Sequence, residues 1–152
     1  MTGAAEKLPI QSQTWAPLVP ELGVTDFSAS MAFYVGLLGF RLCYERPGFA
    51  YLERAQAQIM LEDMAGAWST AGAEYPFGRV INLQIETADV ESLHAKLCAA
   101  HWPIFRGISE SWYRADNIEH GQREFLIQDP DGYLLRFAEP LGERPAPDVK
   151  SA

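Results

Sequence analysis

Apolar and polar positions along the chain follow one order twice. Leu18, Leu22 and Val24 fit one face of a strand, and Asp26 stands where a helix N-cap belongs, ahead of an apolar stripe of Phe27, Met31, Tyr34 and Leu38. Gly39 suits the left-handed conformation that closes a helix. The pattern then predicts strands over residues 40–45, 49–54 and 58–62, with Arg46-Pro47-Gly48 dividing the first two. Residues 64–79 carry Gly66, Gly72, Pro76 and Gly78 and interrupt the periodicity. Beyond them the order returns. Ile81, Leu83 and Ile85 make a strand face, Asp89 caps a second helix with the stripe Val90, Leu93, Leu97 and Ala100, and Pro103 forbids that helix from running on. Strands are predicted over 104–108, 123–128 and 133–138. Asp129-Pro130-Asp131-Gly132, which joins the last two, suits a type I turn followed by glycine.

Leu22 and Val24 map onto Leu83 and Ile85 at one offset of 61 residues. The chain is thus a βαβββ unit written twice, an α+β fold. One helix covers only one face of a four-stranded sheet, so two modules are expected to pair into a mixed sheet that lines a cavity. The expected organisation is a single domain over 17–141, with modules about 17–64 and 79–141 and a linker at 65–78. Residues 1–16 mix Pro, Gln, Ser and Thr without periodicity, and 142–152 are polar and proline-rich. Both are read as mobile tails.

At 152 residues the length suits one domain, and 48% hydrophobic with 21% charged residues is ordinary for a globular chain. Charge changes the picture more: 12 basic against 20 acidic side chains leave −8. Such a surface repels phosphate backbones and anionic lipid, which counts against nucleic-acid and membrane binding, and it attracts a cationic small molecule. No stretch approaches the roughly 18 apolar residues of a membrane helix. Residues 1–7 lack a basic-then-apolar signal pattern, so a cytoplasmic location is expected. Cys43 and Cys98 are read as free thiols there.

Three stretches carry a family resemblance: Pro20-Glu21-Leu22-Gly23-Val24-Thr25-Asp26; Phe33-Tyr34 ahead of Leu38-Gly39-Phe40; and Gly121-Gln122-Arg123-Glu124-Phe125 ahead of Asp129-Pro130-Asp131-Gly132-Tyr133. Over about 18–141 the chain resembles the vicinal-oxygen-chelate superfamily of glyoxalases, bleomycin-resistance proteins and dioxygenases. The third stretch and Pro20 look most like the bleomycin-resistance branch. In the family's metal enzymes, His, Gln or Glu on the cavity face of the first, fourth, fifth and eighth strands hold the ion. The matching positions here are Val19, Met60, Val80 and Arg136, none a usable hard-metal or zinc ligand. A register slipped by two residues offers Glu21, Glu62 and Asn82, but Ala138 in the last strand. No strand is expected to supply a histidine: His94 and His101 fall in or just after the second helix and His120 in a loop. The resemblance therefore implies a binder without metal or cofactor rather than an enzyme.

If the apolar strand residues face the helices, alternation turns Glu21, Met60, Glu62, Asn82, Glu124 and Arg136 toward the cavity, with Val19, Gln58, Gln84, Leu126 and Gln128. Trp68 and Tyr75 sit in the glycine-broken linker, Trp112 and Tyr113 in an expected connection over 109–120, and Phe49 and Tyr51 in the third strand. Rings beside a cavity clamp flat heteroaromatic groups and attract cations through their faces. Otherwise the same rings cover strand edges, and Glu124 and Arg136 pair across strands. Trp15 and Trp102 are read as structural. The ligand-binding set is thus Glu21, Phe49, Tyr51, Met60, Glu62, Trp68, Asn82, Trp112, Tyr113, Glu124 and Arg136. Its three acids, Glu21, Glu62 and Glu124, suit a cation with flat rings, whereas Arg136 favours an anionic group. The resemblance implies reversible sequestration of a bleomycin-type antibiotic by a homodimer with two grooves, its N-terminal strand exchanged about Pro20. The alternatives are a metal-dependent lyase, isomerase or dioxygenase, and a metal-free binder of another small molecule.

Overall fold

The computed structural model describes residues 13–148. Of the tails expected at 1–16 and 142–152, residues 1–12 and 149–152 lie outside the described residues. Eight strands and two helices follow in the order β1 (Glu21–Val24), α1 (Phe27–Met31), β2 (Arg41–Arg46), β3 (Phe49–Arg54), β4 (Ala57–Asp63), β5 (Asn82–Glu86), α2 (Val90–Ala99), β6 (Arg106–Ala115), β7 (Ile118–Gln128) and β8 (Leu134–Pro145). The fold is α+β, with two four-stranded mixed sheets, β1-β4-β3-β2 and β5-β8-β7-β6. Among the described residues no helix is long and apolar enough to cross a membrane. The chain forms two compact units, one of residues up to Arg79 with Asp129–Tyr133, the other of Val80–Gln128 with Leu134 onward.

In the first unit β1 runs parallel to β4, and β4, β3 and β2 form an antiparallel meander. Leu22, Val24, Ala50, Leu52, Ile59 and Leu61 are buried on one face, as strand alternation requires. The Asp26 carboxylate caps α1 by accepting from Ala29 N at 3.0 Å, and Gly39 ends the helical stretch at φ +79°. Between them the helix is not the uniform α-helix expected. Ala32–Leu37 widens into a π-helical turn, with Leu38 N donating to Phe33 O at 2.9 Å, which lets Phe33 and Tyr34, adjacent in sequence, both point inward.

The Asp129-Pro130-Asp131-Gly132 segment forms the expected turn, closed by Gly132 N to Asp129 O at 3.0 Å, with Gly132 at φ +90°. Its two acids are buried anchors of this unit. The Tyr34 hydroxyl donates to Asp129 Oδ2 at 2.7 Å, and Asp131 N and Tyr133 N donate to Oδ1 at 2.9 and 3.0 Å. Asp131 accepts from the Thr25 amide at 3.2 Å and from its hydroxyl at 2.5 Å. Burial outweighs these donors at Asp129 and pushes its carboxyl from 3.8 up to about 6.

The second unit repeats the plan. β5 is parallel to β8, and β8, β7 and β6 are antiparallel. Asp89 caps α2 through Ser92 N at 3.0 Å, and Val90, Leu93 and Leu97 are buried, as are Ile85, Phe125, Ile127, Leu135 and Phe137 of the strands. Phe125 and Phe137 stack with centroids 5.5 Å apart.

Several expectations change here. Residues 109–120 are no loop: β6 and β7 run on to Ala115 and back from Ile118, leaving Asp116-Asn117 as the connection. Trp112, Tyr113 and His120 are therefore strand residues. β8 continues to Pro145 against β7, so residues 142–145 are strand rather than tail. Leu18, at 86% exposure, and Ile81, at 61%, do not face the helices, because both precede the strands they were assigned to. Residues 13–16 are hydrogen-bonded to β3 and β4 side chains and do not belong to a mobile tail.

Candidate functional site

On the first sheet, cross-strand pairs place Glu21 opposite Met60, Met60 opposite Tyr51 and Phe49 opposite Glu62, so five predicted site residues share the face away from the helix. The aromatic half of that face is packed rather than open. Tyr51 stacks on Tyr44 at 5.4 Å, and Phe49 and Tyr51 are buried with Cys43, against partly buried Val19, Tyr44 and Met60. The chain itself supplies the cover. Trp15 meets Tyr51 and Tyr44 edge-on at 4.8 and 5.7 Å, and residues 13–16 are strapped down by polar side chains of the same face. Gln58 Nε2 donates to Thr14 O, its Oε1 accepts from Ala16 N and from the Tyr51 hydroxyl, all at 2.7 Å, and Gln13 Nε2 donates to Glu53 at 2.7 Å. Burial raises the Glu53 carboxyl, but hydrogen bonds from Gln58, Arg41 and Gln13 and the Arg41 charge hold it below its ordinary value. Burial raises the Tyr51 hydroxyl.

At the other end of this face the charges meet solvent. Arg46 lies 3.6 Å over the Phe49 ring and 3.8 Å from Glu62 Oε2, so part of the Glu62 charge is already answered. Next to it opens a cleft of about 380 Å³ that brings Glu21 together with Trp68, along with Glu74, Phe77 and Tyr133. Tyr133 is fixed by its hydroxyl, which donates to Gly23 O at 3.0 Å, and by an edge contact to Phe77. Glu74 is 3.4 Å from Arg79. The Trp68 indole is 96% exposed. Sequence reading named Glu21 and Trp68 but missed Phe77 and Tyr133. Gly78, at φ +64° with its Cα side against the Tyr133 ring, was the available signal for a close approach there.

On the second sheet Asn82, Tyr113, Glu124 and Arg136, one on each strand, are the predicted residues on the face opposite the apolar residues that pack with α2. Asn82 is exposed on β5, at the sheet edge. Tyr113 donates its hydroxyl to Glu124 Oε1 at 2.5 Å, and Arg136 Nη1 lies 3.7 Å from Glu124 Oε2. Trp112 is separate from this group. Its ring lies over Gly121, where an added Cβ would fall 2.6 Å from it, with the Arg144 guanidinium 4.0 Å above and its Nε1 donating to Glu110. It is a strand-clasping residue, as is Trp102, whose Nε1 donates to Gln128 O at 2.9 Å.

The family's metal positions do not fit an ion. Val19 and Met60 pack in the aromatic cluster, Val80 is fully exposed, and Arg136 brings a positive charge. Among the described residues no three His, Cys, Asp or Glu side chains converge as a metal site. His94 meets Phe125 and Cys98 on α2, and His120 on β7 lies 3.4 Å from Glu143.

Two βαβββ units, each with a helix and a four-stranded mixed sheet, define an α+β class built from a repeated module. The model of the glyoxalase/bleomycin resistance protein/dioxygenase superfamily matches residues 18–137, and the chain belongs to this family. It is similar to proteins named bleomycin resistance protein from Geobacillus stearothermophilus and Staphylococcus aureus. Each is 26% identical over 134 residues, covering 81% of this chain and 96% of theirs. Among solved structures, TioX from Micromonospora sp. ML1 has a TM-score of 0.66 at 22% identity, covering 84% of this chain and 100% of its own. Lactoylglutathione lyase from Agrobacterium tumefaciens has a TM-score of 0.55 at 21% identity, covering 82% and 92%. These two likenesses are of fold.

Proposed function

We propose that the chain binds and sequesters, without chemical change, a cationic heteroaromatic antibiotic of the bleomycin type. The carrying observation is the cleft whose lining includes both the exposed Trp68 indole and Glu21. An indole and a carboxylate lining one cleft suit a flat cation: the ring stacks and attracts charge through its face, and the acid answers it. The net charge of −8 favours the same ligand at long range, and the relatives named bleomycin resistance protein support the choice of drug. Glu62 belongs with Glu21 on the first sheet, where Met60, Phe49 and Tyr51 form a packed floor, and Asn82, Tyr113, Glu124 and Arg136 are the proposed binding residues of the second sheet. The protein acts in the cytoplasm as a homodimer, with the N-terminal strand exchanged about Pro20, and keeps the drug from DNA by holding it.

Calorimetric titration with metal-free and copper-loaded bleomycin tests this reading. Saturable heat at micromolar concentration of either form is expected, and no heat from both overturns it. Stoichiometric Ni, Zn, Mn or Fe in gently purified protein, with a lyase, isomerase or dioxygenase activity lost on chelation, would replace sequestration by metal-dependent catalysis.

A further inference from the structure

On the second sheet two buried charged atoms stand side by side without hydrogen-bond partners. Glu124 is 4% exposed. Its Oε1 accepts from the Tyr113 hydroxyl at 2.5 Å, but Oε2 accepts from nothing. Arg136 approaches Oε2 only through Nη1 at 3.7 Å, too far for a hydrogen bond, and its buried Nε–H donates to nothing. Glu124 pairs across to Ala138 and Arg136 pairs to Leu126, two residues along the same two strands and so on the same face, and the orphaned acceptor and the orphaned donor belong to one patch of sheet. Leaving either unmade is costly, and the two together define what would relieve the cost.

The geometry points to a subsite for a neutral ligand edge that carries a donor and an acceptor side by side, as a carboxamide or an amino-substituted azine does. The ligand N–H meets Glu124 Oε2 and the ligand oxygen or ring nitrogen meets Arg136 Nε–H. A carboxylate offers two acceptors and leaves Glu124 facing a like charge. An amidinium offers two donors and does the same to Arg136. Tyr113, 43% exposed on the edge strand β6, is the movable cover, since its ring turns outward about its own side-chain bonds and frees Glu124. This assignment rests on the reading of the chain as a small-molecule binder and names the chemistry of one part of that ligand. It also explains how an arginine fits among the acids without calling for an anion.

The test uses three isosteric probes on the full chain: benzamide, benzoate and benzamidinium, titrated at fixed salt while amide and Tyr113 ring resonances are followed by NMR. The wild-type chain is expected to prefer benzamide over either ion by about tenfold, with shifts centred on Tyr113, Glu124 and Arg136. Glu124→Gln removes the repulsion of benzoate and turns the preference toward it. Arg136→Gln leaves the acid and turns it toward benzamidinium. Glu124→Gln keeps side-chain length and Arg136→Gln shortens it, so a dispersed amide spectrum confirms folding of both before titration. Equal affinities for the three probes in the wild type, an amide preference that survives both substitutions, or a single bridging water that no probe displaces overturns the assignment. Bleomycin decides a separate matter: amide preference without bleomycin heat refutes the antibiotic and keeps this subsite, whereas bleomycin heat unchanged by Glu124→Gln with no amide preference does the reverse.

Discussion

Asp129→Asn isolates the energetic consequence of burying one acid in the first unit. The native carboxylate is 3% exposed and accepts three hydrogen bonds, yet its protonation is shifted from 3.8 to about 6. The raised value means that the folded state prefers the protonated acid. Stability from this group is fully present below 3.8 and is lost as pH rises through 6. At ~1.36 kcal/mol for each pH unit between the two values, the whole swing is about 3 kcal/mol, of which about 1.4 kcal/mol is still present at pH 5. Asparagine keeps the shape. Its oxygen can go on accepting from Asp131 N and Tyr133 N, and its amide nitrogen can donate to the Tyr34 hydroxyl oxygen. Thermal unfolding of both proteins at pH 5 and pH 8 is the assay. The native chain is expected to lose roughly 3–6 °C more than the variant across that interval, given about 2–4 °C per kcal/mol at this size. Tyr34→Phe, which strips the donor from Oδ2, should steepen the native trend. Identical pH dependence in wild type and Asp129→Asn refutes the reasoning, because the acid would then carry no burial cost.

Other outcomes follow from single contacts. Trp68→Ala should weaken bleomycin binding by about 1–3 kcal/mol in calorimetry while leaving the melting temperature unchanged, since the indole packs on nothing that holds the fold. Glu62→Lys sets a second cation beside Arg46 and should reduce affinity most at low salt; a loss independent of salt points to altered folding instead. Gly121→Ala pushes a methyl into the Trp112 ring, with an expected cost of about 1–3 kcal/mol by chemical denaturation and a changed near-ultraviolet signal from the displaced indole.

Local chemistry made much of this fold readable. Asp26 and Asp89 cap their helices, Gly39 and Gly132 take the left-handed backbone, and the buried alternation of Leu22, Leu61, Phe125 and Phe137 follows the sheet period. The extended end of the β6, β7 and β8 ribbon, residues 109–122 with 140–145, was harder, because its few large apolar residues follow no two-residue period and alternation carries no inside and outside. That is why Trp112 and Tyr113 looked like loop rings. The strap at 13–16 has no periodicity at all; its placement comes from Gln13 and Gln58 side-chain hydrogen bonds that span about forty positions of sequence. In the candidate site, the residue types on each strand face were legible. Whether a ring is open, as Trp68 is, or already covered, as Tyr51 is by Trp15, depends on such distant partners.

The π-helical turn at Ala32–Leu37 also bears on how this chain tolerates changes of length. A wider turn holds more residues for the same rise than an α-helix does, so the segment stores slack in the chain. An insertion or deletion of one residue there changes the local winding and leaves the pairing of β2 with β3 alone. The same event inside β3 or β4 would exchange the two faces of the sheet, moving Leu52 and Leu61 to the wet side and Tyr51 and Met60 against the helix. Length variation in this module is therefore expected to gather around Val35 and Gly36, where the backbone has already absorbed it.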